Sequence, residues 1–194
     1  MPNSKIGRAA FIDVETTGLN PLRDEIIELG LTVFMFRRDT GEILDVPYMY
    51  TSLRQPSKRV PRSATAIHGI TDEMVKGRRI EEEKVRIELE SSEFLVAHNA
   101  NFDYAFVVRL FPWTASMVWM CSMRQIDWVR DGYPSRGLQF LIRTHHLEVF
   151  ECHRAGADCM AGVRLLGCQN KHGQFYLREL LDHLPRNLQD TAGK

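Results

Sequence analysis

The stretch Phe11-Ile12-Asp13-Val14-Glu15-Thr16-Thr17-Gly18-Leu19 constrains this chain most. It reads as the end of a buried strand that breaks into a glycine turn, with two carboxylates one residue apart. Strand side chains alternate faces, so Asp13 and Glu15 project to the side on which Phe11 also points. Two acids on one face of an apolar strand repel each other and cost desolvation unless a cation sits between them. Oxygen sites of this kind suit hard divalent ions such as Mg²⁺. Taken alone, the pair also reads as a strand end whose acids simply face water.

Residues 8–14 are predicted as the first strand, followed by the turn Gly18-Leu19-Asn20-Pro21. The β-rich run 26–37, the turn signal Asp39-Thr40-Gly41-Glu42 and the run 43–53 predict a three-stranded antiparallel meander. Residues 61–68 predict a short helix ending at Gly69, and Thr71 an N-cap followed by acids. A charged helix is expected over 80–92, a strand over 94–97 and a helix over 101–111, with Phe102, Phe106 and Leu110 on one stripe. A fifth strand is expected at 118–121, then helices at 122–130, 136–145, 156–166 and 175–184. A meander followed by strand–helix alternation predicts an α/β layer architecture, a mixed sheet flanked by helices. Trp113, Trp119 and Trp128 read as packing anchors.

A chain of 194 residues suits a single domain with a substantial core, its motif-bearing part at about 8–166 and its last helix at about 175–184. Lys+Arg and Asp+Glu balance at 25 each, so any surface for a polyanion must be local. The stretch 46–71 carries Arg54, Lys58, Arg59 and Arg62 and no acid, and reads as a phosphate contact or as a solvated loop. Residues 1–5 are polar with no apolar signal core, and no stretch reaches the roughly 20 apolar residues of a membrane span. A cytoplasmic protein is therefore expected, with Cys121, Cys152, Cys159 and Cys168 as reduced thiols. Cys152, His153, Cys159, Cys168 and His172 cluster in sequence, which keeps a structural zinc site as a minor alternative.

Two later stretches also fall where one element gives way to the next. Ala97-His98-Asn99-Ala100-Asn101-Phe102-Asp103 follows the fourth strand and opens a helix, placing Asp103 in its first turn. Functional groups of open α/β sheets gather at such strand ends. His153-Arg154-Ala155-Gly156-Ala157-Asp158 sets a loop histidine five positions before an acid of the next helix. Each acid alone has an ordinary explanation, since acids are favoured in first helical turns. The three stretches together, in this order, resemble the DEDDh group of 3′–5′ exonucleases within the ribonuclease H-like fold. Its members include proofreading subunits of bacterial replicative polymerases, ribonuclease T and oligoribonuclease. Ile67-His68-Gly69-Ile70-Thr71 matches a further family segment, and the resemblance spans about residues 8–166.

The resemblance implies a ribonuclease H-like, five-stranded mixed sheet. It assigns Asp13, Glu15, Asp103 and Asp158 as acids that organise two Mg²⁺ or Mn²⁺ ions, and His153 as the fifth catalytic residue. An imidazole with its ordinary pKa of about 6.5 suits the task of taking a proton from water. The tyrosine-type subgroup has Tyr at the place of Arg154, so the histidine mechanism is expected. Thr16, Leu19, His68, Asn99 and Phe102 are expected to contact the terminal nucleotide, with Leu19 as a wedge against its base. Each also has a structural reading: Leu19 and Phe102 as core, Thr16 and Asn99 as turn hydrogen-bonders, His68 as a helix cap. Where relatives often have aspartate after the fifth strand, this chain has Cys121-Ser122, which bears on specificity.

The expected activity is removal of 5′-mononucleotides from the 3′ end of single-stranded DNA. The alternatives are an exoribonuclease of the ribonuclease T or oligoribonuclease type, or a catalytically silent polymerase-adaptor module. Only about ten residues follow Leu184, which favours a stand-alone enzyme over one tethered to a polymerase. A polymerase or a second copy of the chain stays open as a partner, the latter through Leu177, Leu180, Leu181 and Leu184 of the last helix.

Overall fold

The first strand is apolar on both faces, and that places it at the centre of the fold. In a computed structural model describing residues 5–148, 153–185 and 188, β1 (Ile6–Thr16), β2 (Ile26–Arg37) and β3 (Ile43–Leu53) form the antiparallel meander. β4 (Leu95–Ala97) and β5 (Trp119–Cys121) add in parallel on the other side of β1. The sheet order is β3-β2-β1-β4-β5, the mixed five-stranded sheet expected. The helices are α1 (Arg62–His68), α2 (Asp72–Val75), α3 (Glu82–Glu90), α4 (Ala100–Leu110), α5 (Ser122–Gln125), α6 (Leu138–Thr144), α7 (Ala155–Leu166) and α8 (Tyr176–Leu181).

Alternation along β1 builds two cores. Ala9 and Phe11 pack with Phe34, Phe36 and the apolar faces of α7 and α8. Ala10, Ile12 and Val14 pack on the opposite side with Val85 and Leu89 of α3 and Phe106 and Val107 of α4. Asp13 and Glu15 continue the row of Phe11, so they emerge beneath α7, where β1 and β4 end. Helix α4, starting directly after β4, brings Asp103 to the same end of the sheet.

Small residues let α7 lie close on the sheet. Gly162 leaves room for the Phe11 ring, and Gly156 sits against Thr51. Gly30, paired in register with Asp13, faces the Ala155 backbone so closely that a methyl group there would overlap the carbonyl. Backbone cannot rotate aside as a side chain does, so Gly30→Ala is expected to cost about 1–3 kcal/mol. For a chain of this size that is a Tm lower by about 3–10 °C. An unchanged Tm in scanning calorimetry would show that α7 slides freely on the sheet.

Several predicted boundaries shift. The first strand runs two residues further at each end than the predicted 8–14. The helix expected at 122–130 is only the single turn of α5. Ile126 takes an extended backbone, and both Ile126 and Trp128 enter the core, a two-residue spacing that a helix cannot supply. Trp128 is anchored by its indole N–H donating to the Ser122 carbonyl at 2.8 Å. The last helix is shorter than 175–184, and Leu177, Leu180, Leu181 and Leu184 are all buried in the chain's own core. That face is therefore not left for a second copy. No helix among the described residues is long and apolar enough to cross a membrane.

Candidate active site

Three separate elements deliver the acids to one place. Asp13 and Glu15 come from the end of β1, Asp103 from the first turn of α4 and Asp158 from the first turn of α7. They line an open cavity of about 360 Å³ with His153, His98, Phe102 and the 137–140 segment. Glu15, Asp158 and His153 are the closest group, each offering a ligand atom within 4.8 Å of the others. Asp158 is steadied by Gln139, whose Nε2 donates to Oδ1 at 2.8 Å.

Crowding is visible in the protonation of these acids. Burial, then the charges of Asp103, Asp158 and Glu15, hold the Asp13 carboxyl well above the usual range. Burial, with Asp158 and Glu28 adding repulsion, pushes Glu15 up to about 8. Burial alone outweighs the backbone amides that favour ionised Asp103, which is raised to about 8. Asp158 is raised by burial, against the opposing pull of His153 and Gln139. Four carboxylates that resist ionisation together form an oxygen-rich donor set for divalent cations, so the residues fit such ions.

The predicted nucleotide contacts are spread more widely. Phe102 lines the cavity and leans on Phe106 with ring centroids 4.9 Å apart. Leu19 stands 82% exposed on the turn after β1. Thr16 is buried, its hydroxyl donating to the Gly18 carbonyl at 2.6 Å. His68 is also buried, with Nδ1 accepting from the Ile70 amide at 3.0 Å, and does not line the cavity. Asn99 adopts a left-handed backbone (φ 76°) at the start of α4.

His98, Gln139 and Glu28 were not foreseen as site residues. His98 is held between the Ser122 hydroxyl at 2.9 Å and the Arg136 carbonyl at 2.7 Å. The carbonyl can only accept, so Nε2 carries the proton and Nδ1 accepts from Ser122; burial lowers its pKa to about 4, which keeps it neutral. Ser122, the departure from the family pattern, is thus the seat of a cavity histidine. Its signal was present, because His98 adjoins Asn99 in the second motif. In the basic stretch, Arg54 pairs with Glu25 at 2.9 Å and so offers less free charge than expected. Cys159 is core and the Cys168 thiol donates to the Arg164 carbonyl, while Cys152 lies outside the described residues. Among the described residues the zinc reading thus loses two of its ligands to other environments.

The RNase T exonuclease family model matches residues 10–166. The chain belongs to this family of 3′–5′ exonucleases, in its DEDDh branch. It is 38% identical over 132 residues to DNA polymerase III PolC-type of Thermotoga maritima, covering 66% of this chain and 8% of that protein. It is 36% identical over 118 residues to a DNA polymerase III subunit epsilon-like protein of Rhodobacter capsulatus, covering 56% of this chain and 15% of the relative. The chain thus spans a small part of the relatives it matches. Among solved structures it resembles Exonuclease X in complex with 5′ overhanging duplex DNA, with TM-score 0.59, 24% identity and coverage of 95% of this chain and 99% of that one. It also resembles a zinc-bound E. coli ExoI–ssDNA complex, with TM-score 0.65, 16% identity and coverage of 83% and 40%. At these identities the two structures speak for the fold.

Proposed function

We propose that the chain is a metal-dependent 3′–5′ exonuclease that releases 5′-mononucleotides from the 3′ end of single-stranded DNA. The observation that carries this reading is the convergence of Asp13, Glu15, Asp103 and Asp158 with His153 on one open cavity. Its similarity to DNA polymerase III PolC-type and to exonucleases bound to DNA supports DNA as the substrate.

The four acids would hold two Mg²⁺ or Mn²⁺ ions, which supply an acidified water and neutralise charge on the leaving oxygen. The chain's own residues then divide the work. His153 accepts the proton of the attacking water at an imidazole nitrogen. The water oxygen bonds to phosphorus, the bond from phosphorus to the 3′-oxygen breaks, and that oxygen takes a proton from solvent. Gln139 keeps the Asp158 carboxylate aimed into the cavity. Phe102 offers a flat apolar face to the terminal base, and the exposed Leu19 leans against the same base from the turn.

Matched 5′-labelled DNA and RNA oligonucleotides test this reading, with Mg²⁺, Mn²⁺ or chelator, alongside His153→Ala. The expected result is a ladder shortening from the 3′ end, faster on DNA and absent in chelator. His153→Ala should slow it about 10²–10⁴-fold, the usual worth of a general base. Faster cutting of RNA would move the assignment to an exoribonuclease. No shortening under any metal would overturn the enzyme reading in favour of an adaptor.

A further inference from the structure

Glu28 lies within β2 with no exposure to solvent. Its register partner is Glu15, so both side chains stand on the same face of the sheet. Glu28 nevertheless does not line the cavity. Its carboxylate accepts Arg154 Nε at 3.1 Å, Arg154 Nη2 at 2.6 Å and the Ala155 amide at 2.9 Å. Ala155 is the first residue of α7, and Arg154 at the N-cap position offers that helix no side-chain cap. Glu28 therefore caps α7 from a neighbouring strand, satisfying an amide that the helix leaves without a partner.

The residue before Arg154 is His153, whose backbone is left-handed (φ 60°). A non-glycine residue holds that conformation at a cost, and does so only where its surroundings fix it. On its C-terminal side the next residue is anchored, the Arg154 guanidinium being seated as a planar fork on the buried Glu28 carboxylate. Gly30 and Gly156 bring the start of α7 near enough to the sheet for that reach. A buried ion pair is a weak device for stability but a strict one for geometry.

We propose that Glu28 and Arg154 are positioning residues that hold His153 in its left-handed backbone beside Glu15 and Asp158. The inference rests on the exonuclease reading, in which His153 takes the proton. Neither residue touches the reacting atoms; both act through His153.

A double-mutant cycle tests this, using steady-state shortening of a 5′-labelled DNA oligonucleotide at saturating Mg²⁺. Arg154→Gln should lower kcat about 10–100-fold, the scale of a displaced catalytic group, with KM changed less than about 3-fold. In the His153→Ala background the same substitution should cost less than about 2-fold, because its target is already gone. Arg154→Lys should recover only part of the rate, since an ammonium supplies a point charge in place of the fork. Arg154→Gln leaves Glu28 buried and unpaired, so the Glu28→Gln/Arg154→Gln protein, with both charges removed, is measured in parallel. It should show the same dependence on His153. Equal fold losses in both backgrounds would overturn the proposal, assigning the pair to the fold or to Asp158. A wild type that shortens no oligonucleotide would overturn the exonuclease reading, and this proposal with it.

Discussion

Asp13→Asn is expected to abolish nuclease activity while making the metal-free protein more stable. The two effects share one cause. Asp13 is half-buried beside Asp103, Asp158 and Glu15, and desolvation first, then their charges, holds its carboxyl well above the ordinary range. Near neutral pH the unfolded carboxyl is ionised and folding must protonate it; an isosteric neutral amide avoids that cost, so Tm in chelator should rise by roughly 2–4 °C for each kcal/mol relieved. The same change removes a cation-binding oxygen, and kcat should fall at least about 10³-fold, the upper range for loss of one preorganised electrostatic group. Calorimetry in chelator and the oligonucleotide assay read the two effects on one preparation. Lost activity with a lowered Tm would mean that Asp13 supports the fold, against the crowding described here.

Stability in chelator is expected to fall as pH rises from about 5.5 to 8 and to level off above that. Glu15 and Asp103, at about 8 when folded, have ordinary values of 4.5 and 3.8. An unfolded chain has released both protons by about pH 5.5, whereas the folded protein still carries them. The folded state thus binds more protons across this interval, and each retained proton gives a slope of about 1.4 kcal/mol per pH unit. The stabilisation is present at low pH and is lost as pH climbs through the folded pKa. Mg²⁺ or Mn²⁺ should reverse the loss, by more at pH 8 than at pH 5.5, because the ions bind the ionised carboxylates. Melting curves at several pH values, with and without ions, check this. A Tm that rises with pH in chelator would show that the acids ionise without strain.

Much of this was legible from local pattern. Strands 26–37 and 43–53 announced themselves through apolar runs on either side of Asp39-Thr40-Gly41, and both are observed at those bounds. The spacing of Asp13 and Glu15 marked one face, and Asp103 and Asp158 marked first helical turns. What stayed hidden depends on partners distant in the chain. Glu28 looks like one polar residue in Ile26-Ile27-Glu28-Leu29-Gly30, and nothing local says that it meets Arg154, 126 positions away. Gln139 reads as an ordinary helix residue until Asp158 is placed beside it. The helix expected at 122–130 ends after one turn because burying both Ile126 and Trp128 takes an extended segment, where tertiary burial overrides local helical propensity.

The distribution of the acids over β1, α4 and α7 also has a consequence for synthesis. A growing chain makes Asp13 and Glu15 early, within a meander whose contacts are local and quick to form. Asp158 follows 145 positions after Asp13, roughly 7–30 s later at ordinary rates of translation. Throughout that interval the nascent polypeptide holds two of the four acids, then three once Asp103 is made, and no complete centre. A truncated product ending before α7 lacks Asp158, and on the proposed mechanism it should leave nucleic acid uncut. By the same mechanism, cutting power arrives only once α7 brings Asp158 to the other acids.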